Sequence, residues 1–135
     1  MLARRRSAAL LRDVSLVSHC SGRELRDIVG LGYQKSFSRG AALTREGEPG
    51  ESLFLILEGS TGVERNGEPL MVRGPREFIG EIALLSHSPR TATVRAVTDV
   101  QTFVIPGRAF RALLGRQPKL QCKVLEALAV RMPED

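Results

Sequence analysis

Aromatic side chains make up only 4% of this 135-residue chain, so its core must be built mostly from Leu, Val, Ile and Ala. No apolar run approaches the roughly 20 residues that a bilayer-crossing helix needs, and no stretch reads as a membrane segment. Arg4, Arg5 and Arg6 come early, but Arg12 and Asp13 interrupt the apolar stretch that a secretory leader requires. Cys20 and Cys122 are the only cysteines and have no disulfide spacing pattern, which suits a reducing cytoplasm. Among His19, Cys20, His87 and Cys122 no pair has zinc spacing, and adjacent His19 and Cys20 cannot easily chelate together, so no metal is expected. There is no P-loop Gly-Lys-Ser/Thr, and no Ser or Cys stands near a His in a nucleophile pattern. The chain is therefore not read as an enzyme. Repeats and low-complexity segments are absent too.

Charge is present but diffuse. The net charge is +5 and the pI about 10, which raises the question of nucleic acid. The basic residues are almost all Arg and are spread along the chain, with Arg4 to Arg6 the only run. Direct nucleic-acid binding is not expected; a diffuse positive field would instead steer small anionic ligands inward.

The length suits one domain with a real core. Leu10, Leu11, Val14 and Val17 recur at helical spacing, so residues 1–21 are expected to form a helical N-terminal segment. Ser21 followed by Glu24 is a capping-box pattern, and Leu25, Ile28 and Val29 give the next helix, about 22–29, its apolar face. From Tyr33 the pattern turns to strands. Leu53-Phe54-Leu55-Ile56-Leu57 is a solidly apolar run that fits a buried strand, Asn66-Gly67 is a hairpin signal, and 91–98 and 100–105 read as β-branched strands. Many short strands with turn signals suggest a β-roll or sandwich. Past Pro106-Gly107 the chain is helical again: Pro118 suits a first helical position, and Leu120, Val124, Leu128 and Met132 recur every four residues.

One stretch carries chemistry, residues 78–94. Gly80 allows a sharp turn or a close approach of ligand to backbone. Glu81 to Leu85 has helix formers for one or two turns, and a helix start offers unpaired N–H groups to a phosphate. Ser88-Pro89 ends that turn. Arg90 then supplies a permanent cation whose fork suits phosphate oxygens. Glu81 would repel a phosphate, but it can accept a hydrogen bond from a sugar hydroxyl. A cation for phosphate and an anion for ribose, nine positions apart, point to a nucleotide monophosphate. An ordinary ion pair between the two would not require Gly80, Ala83 and Ala92 as well.

Gly80-Glu81, Ala83-Leu84 and Pro89-Arg90-Thr91-Ala92 together resemble the phosphate-binding cassette of the cyclic-nucleotide-binding domain family, found in catabolite activator protein, kinase regulatory subunits and cyclic-nucleotide-gated channels. Ile79 departs from the Phe or Gly that many members carry, and Phe78 can fill that apolar role. Residues 46–59, from Glu46-Gly47-Glu48-Pro49-Gly50-Glu51 to Glu58-Gly59, are similar to the family's strand-turn signature. There the glycines are read as turn requirements only.

The resemblance, over about 22–131, implies an α+β domain of residues 22–135: an antiparallel β-roll, jelly-roll-like and double-stranded, with short N-terminal helices and a C-terminal lid helix. It implies binding of a cyclic nucleotide, cAMP ahead of cGMP, as a regulatory module that transmits closure of the C-terminal helix, with Phe78, Ile79, Gly80, Glu81, Ile82, Ala83, Arg90, Thr91 and Ala92 at the ligand. Leu125, Leu128 and Met132 are lid candidates. Thr91 is either an ordinary strand-start threonine or a hydrogen-bonding partner of the purine. With the chain ending at Asp135 the lid is short, and no helix-turn-helix, channel, kinase or transferase segment follows. No cofactor beyond the nucleotide is implied; a homodimer is compatible with the pattern, and the effector is not specified. Two rivals stay open: a scaffold domain whose site no longer binds nucleotide, and a regulatory piece of a larger transcription factor, channel or enzyme.

Overall fold

A computed structural model describes residues 8–80 and 89–131 of the chain, with the side chains of 130 and 131 left out. Glu81, Ile82, Ala83 and Met132 of the expected site lie outside the described residues.

Among its described residues the N-terminal segment is α-helical over 8–11. Beyond it the chain winds through bonds of the i→i−3 type, with Val14 N–H donating to Leu11 O, Val17 to Val14 and Cys20 to Val17. A 3-10 turn, Ser15–Val17, results. A continuous α-helix is interrupted because the Ser15 N–H donates across the molecule to Arg76 O at 2.8 Å. The apolar period still does its work, since Leu11, Val14 and Val17 are buried. Helix α1, Gly22–Val29, closes its first turn as a capping box, with Glu24 N–H donating to Ser21 Oγ and Ser21 N–H to Glu24 Oε1.

Eight strands follow among the described residues: β1 Tyr33–Phe37, β2 Ala42–Thr44, β3 Ser52–Glu58, β4 Thr61–Arg65, β5 Glu68–Arg73, β6 Phe78–Ile79, β7 Thr93–Ala96 and β8 Val100–Pro106. They pair into two antiparallel four-stranded sheets, ordered β1-β8-β3-β6 and β2-β7-β4-β5. Asn66 and Gly67 join β4 to β5 with both φ values positive, 54° and 79°, the geometry a two-residue I′ hairpin requires. Helices α2, Gly107–Arg116, and α3, Pro118–Arg131, follow. This is the antiparallel roll with flanking helices that the sequence led us to expect.

In the first sheet β3, β6 and most of β8 are buried on both faces, whereas β1 is exposed from Tyr33 to Ser36. Leu53 and Leu55 of β3, Phe78 of β6 and Phe103 and Ile105 of β8 pack into a helical core with Leu11, Leu25, Ile28, Phe110, Leu120 and Leu128. Their alternating neighbours Phe54, Ile56, Ile79 and Val104 point into the roll, against Leu43, Val94 and Ala96 of the second sheet. A strand covered on both sides has no polar face to alternate with, which is why residues 53–57 read as one apolar run. Among the described residues no helix is long and apolar enough to cross a membrane.

Candidate functional site

Arg90 is fixed first through its backbone. Its N–H donates to Glu48 O at 3.0 Å, and its carbonyl accepts from Gly47 N–H at 2.9 Å. Two reciprocal bonds thus lash it to the turn between β2 and β3. The neighbouring residues are tied as well. Arg65 Nε donates to Thr91 O at 2.9 Å, Thr44 Oγ1 to Ala92 O at 3.0 Å, and Glu46 N–H to Thr93 Oγ1 at 2.9 Å.

The Arg90 side chain runs back over β3. Nη2 donates to Ser52 O at 2.8 Å, and Cζ lies 5.9 Å from the centroid of the Phe54 ring, within cation–π range. Gly80 stands beside it at φ +93°, where a Cβ would lie 2.6 Å from Ser52 O and 2.8 Å from Arg90 Nη1. Backbone conformation and space therefore both demand glycine there. Beside this group opens a cavity of about 230 Å³, lined by residues 42–45, 48–52, Phe54 and Arg90. Its wall is apolar at Leu43, Pro49 and Phe54, and charged at Arg45, Glu48, Glu51 and Arg90. The Glu51 carboxylate also faces Arg111 of α2 at 3.5 Å, and the Glu51 carbonyl accepts from Gly107 N–H at 3.0 Å, so the cavity's rim is joined to the first residue of α2.

Gly80 and Arg90 are thus in contact, and Thr91 and Ala92 continue from Arg90 into β7, Thr91 exposed and Ala92 half-buried. Phe78 and Ile79 are both buried but on opposite faces of β6, Phe78 in the helical core and Ile79 inside the roll. Of the lid candidates, Leu128 is 3% exposed, within the helical core, and Leu125 is 48% exposed. Helix α3 packs on the 3-10 turn and on α2. Lys123 Nζ donates to Glu24 Oε1 at 2.7 Å, joining α3 to α1. The Lys123 hydrogen bond holds the Glu24 carboxyl below its usual range, and the Glu24 carboxylate raises Lys123 in return. Burial, helped by Glu24, pushes the Cys20 thiol up to about 11.

Ser52, Phe54 and the 47–50 turn were not singled out as site residues from the sequence. They stand some 40 positions before Arg90, and the apolar run around Phe54 carries no sign that one of its rings faces a cation. The family model of the cyclic nucleotide-binding domain matches residues 34–117, from β1 to the end of α2, the cavity and Arg90 included. The chain belongs to the cyclic nucleotide-binding domain family. This cyclic nucleotide-binding domain is 34% identical, over 93 residues, to the cGMP-dependent protein kinase of Caenorhabditis briggsae, a match covering 69% of the chain and 12% of the kinase. It is 31% identical, over 112 residues, to the cAMP-dependent protein kinase regulatory subunit of Hypocrea atroviridis, covering 83% of the chain and 24% of that subunit. The chain therefore spans less than a quarter of the length of either relative. The N-terminal domain of a transcriptional regulator from Streptomyces coelicolor superposes with a TM-score of 0.78 at 28% identity, over 93% of each chain.

Proposed function

We propose that this cyclic nucleotide-binding domain takes up cAMP or cGMP beside Arg90 and acts as a cytoplasmic, non-catalytic sensor within a larger signalling protein. The observation that carries the reading is the fixed guanidinium at the wall of a cavity of about 230 Å³. A cation held at Ser52 O and over the Phe54 ring loses little further freedom on binding an anion. In this reading Arg90 neutralises the cyclic phosphate. Gly80 lets the backbone approach it, and Ile79, Ile82, Ala83 and Ala92 shape the surroundings. Phe78 holds β6 in place from the helical core. Glu81 accepts from the ribose 2′-hydroxyl, and Thr91 stands where it can meet the purine. Residues 22–135 are taken as the binding domain and residues 1–21 as its N-terminal segment, whose Leu11, Val14 and Val17 share the domain's core. Ligand binding biases α3 between two positions, with Leu125 and Met132 closing over the base. The kinship with both a cAMP- and a cGMP-dependent kinase system supports either nucleotide. Calorimetric titration of the purified chain with cAMP and with cGMP tests the proposal: saturable one-to-one binding of at least one is expected. Heat from neither would refute it in favour of a nucleotide-free scaffold domain.

A further inference from the structure

Most glycines around the roll are explained by their backbone. Gly47, Gly59, Gly67 and Gly80 have φ between +79° and +93°, where an L side chain is strained. Gly50 is different. Its φ lies outside that region, so an alanine would suit the backbone, yet a Cβ built on it would lie 2.7 Å from Arg90 Nε, 3.1 Å from Nη2 and 3.3 Å from Cζ. All three of the nearest atoms belong to the Arg90 guanidinium group. Phe54 and Ser52 O hold that group, and the Gly80 Cα faces it at Nη1.

We propose that Gly50 is a positioning residue for the anion site, kept free of a side chain so that the Arg90 guanidinium fits in the slot between the 47–50 turn and Gly80. The inference deepens the proposed function, because it takes Arg90 as the partner of the nucleotide phosphate. A methyl group at 50 meets the far end of a flexible side chain, so it pushes the guanidinium off Ser52 O and out of the Phe54 stack while the fold stays as it was. Such a displacement of about an ångström in a binding group weakens a directional phosphate contact severely.

The test compares Gly50→Ala with wild type in three measurements. Thermal unfolding should stay cooperative, with Tm lowered by no more than the several degrees expected when the Arg90 side-chain contacts are lost. The Arg90 Nε–H cross-peak in the nitrogen–proton spectrum, assigned by its loss in Arg90→Lys, should shift. Affinity for cAMP or cGMP should fall at least tenfold. In the Arg90→Lys background, which has no guanidinium to displace, adding Gly50→Ala should change affinity less than twofold. An unshifted Arg90 signal overturns the inference, whatever the affinity does. Loss of the fold in Gly50→Ala overturns it too, because the backbone and not Arg90 would then require the glycine. If wild type binds neither nucleotide, the proposed function fails, and the Arg90 signal alone still decides whether Gly50 sets that side chain.

Discussion

Replacing Arg90 by alanine separates two roles of one side chain. In the free protein the guanidinium donates to Ser52 O at 2.8 Å and lies over Phe54 at 5.9 Å. A hydrogen bond from a charged group contributes about 1.5–3 kcal/mol and a partly buried cation–π contact about 1 kcal/mol. The truncation should therefore cost about 2–4 kcal/mol of stability and lower Tm by several degrees. The backbone bonds of residue 90 to Gly47 and Glu48 do not depend on its side chain, so the turn survives. Binding bears a separate loss: deleting one member of a desolvated charge pair costs about 2–5 kcal/mol, or roughly thirtyfold to a few thousandfold in Kd. Calorimetry well below the mutant's Tm, with circular dichroism on the same sample, reads the two losses independently. A folded Arg90→Ala protein with near-wild-type nucleotide affinity would refute the reasoning, whatever happened to its stability.

Three further outcomes are expected. Thr91→Ala should weaken cGMP by roughly two- to twelvefold, the worth of one neutral hydrogen bond, and leave cAMP nearly unchanged; parallel titrations check it, and equal losses would mean that Thr91 only shapes the segment. Leu125 is 48% exposed and Leu128 3%, so Leu125→Ala should stay within ~0.5 kcal/mol of wild-type stability but release a fluorescent nucleotide faster, whereas Leu128→Ala should lose about 2–5 kcal/mol on unfolding. The Glu24 carboxyl sits below its ordinary 4.5 when folded, so its contribution is present above that pH and is lost as acid protonates it. The raised Lys123 adds stability below its ordinary 10.5 that fades at higher pH. Tm measured from pH 7 down to 3 should therefore drop more steeply in wild type than in Glu24→Gln.

The parts of the fold that were legible in the sequence are those whose causes are local. Ser21 and Glu24 declared the start of α1 because a capping box is made within four residues. Asn66-Gly67 declared the hairpin because its two positive φ values belong to those two residues. The N-terminal segment misled because the bond that ends its helix, Ser15 to Arg76 O, joins residues about 60 apart. The site divides in the same way. Gly80 and Arg90 are one short segment and could be read together, whereas Ser52, Phe54 and Gly50 reach Arg90 only through the folding of β3 beneath it. The double coverage of β3 was legible as hydrophobicity, but which alternate residues faced the helices and which faced the roll depended on the sheet's partners.

Ala8 and Leu11 near one end of the described chain and Leu128 near the other share a single core. Helix α3 and the N-terminal segment are thus held against one another, since α3 also rests on the 3-10 turn. Fluorophores attached at exposed Arg12 and exposed Glu126 would follow the two elements. Any displacement of α3 would then change their separation directly, which suits the domain to use as a reporter.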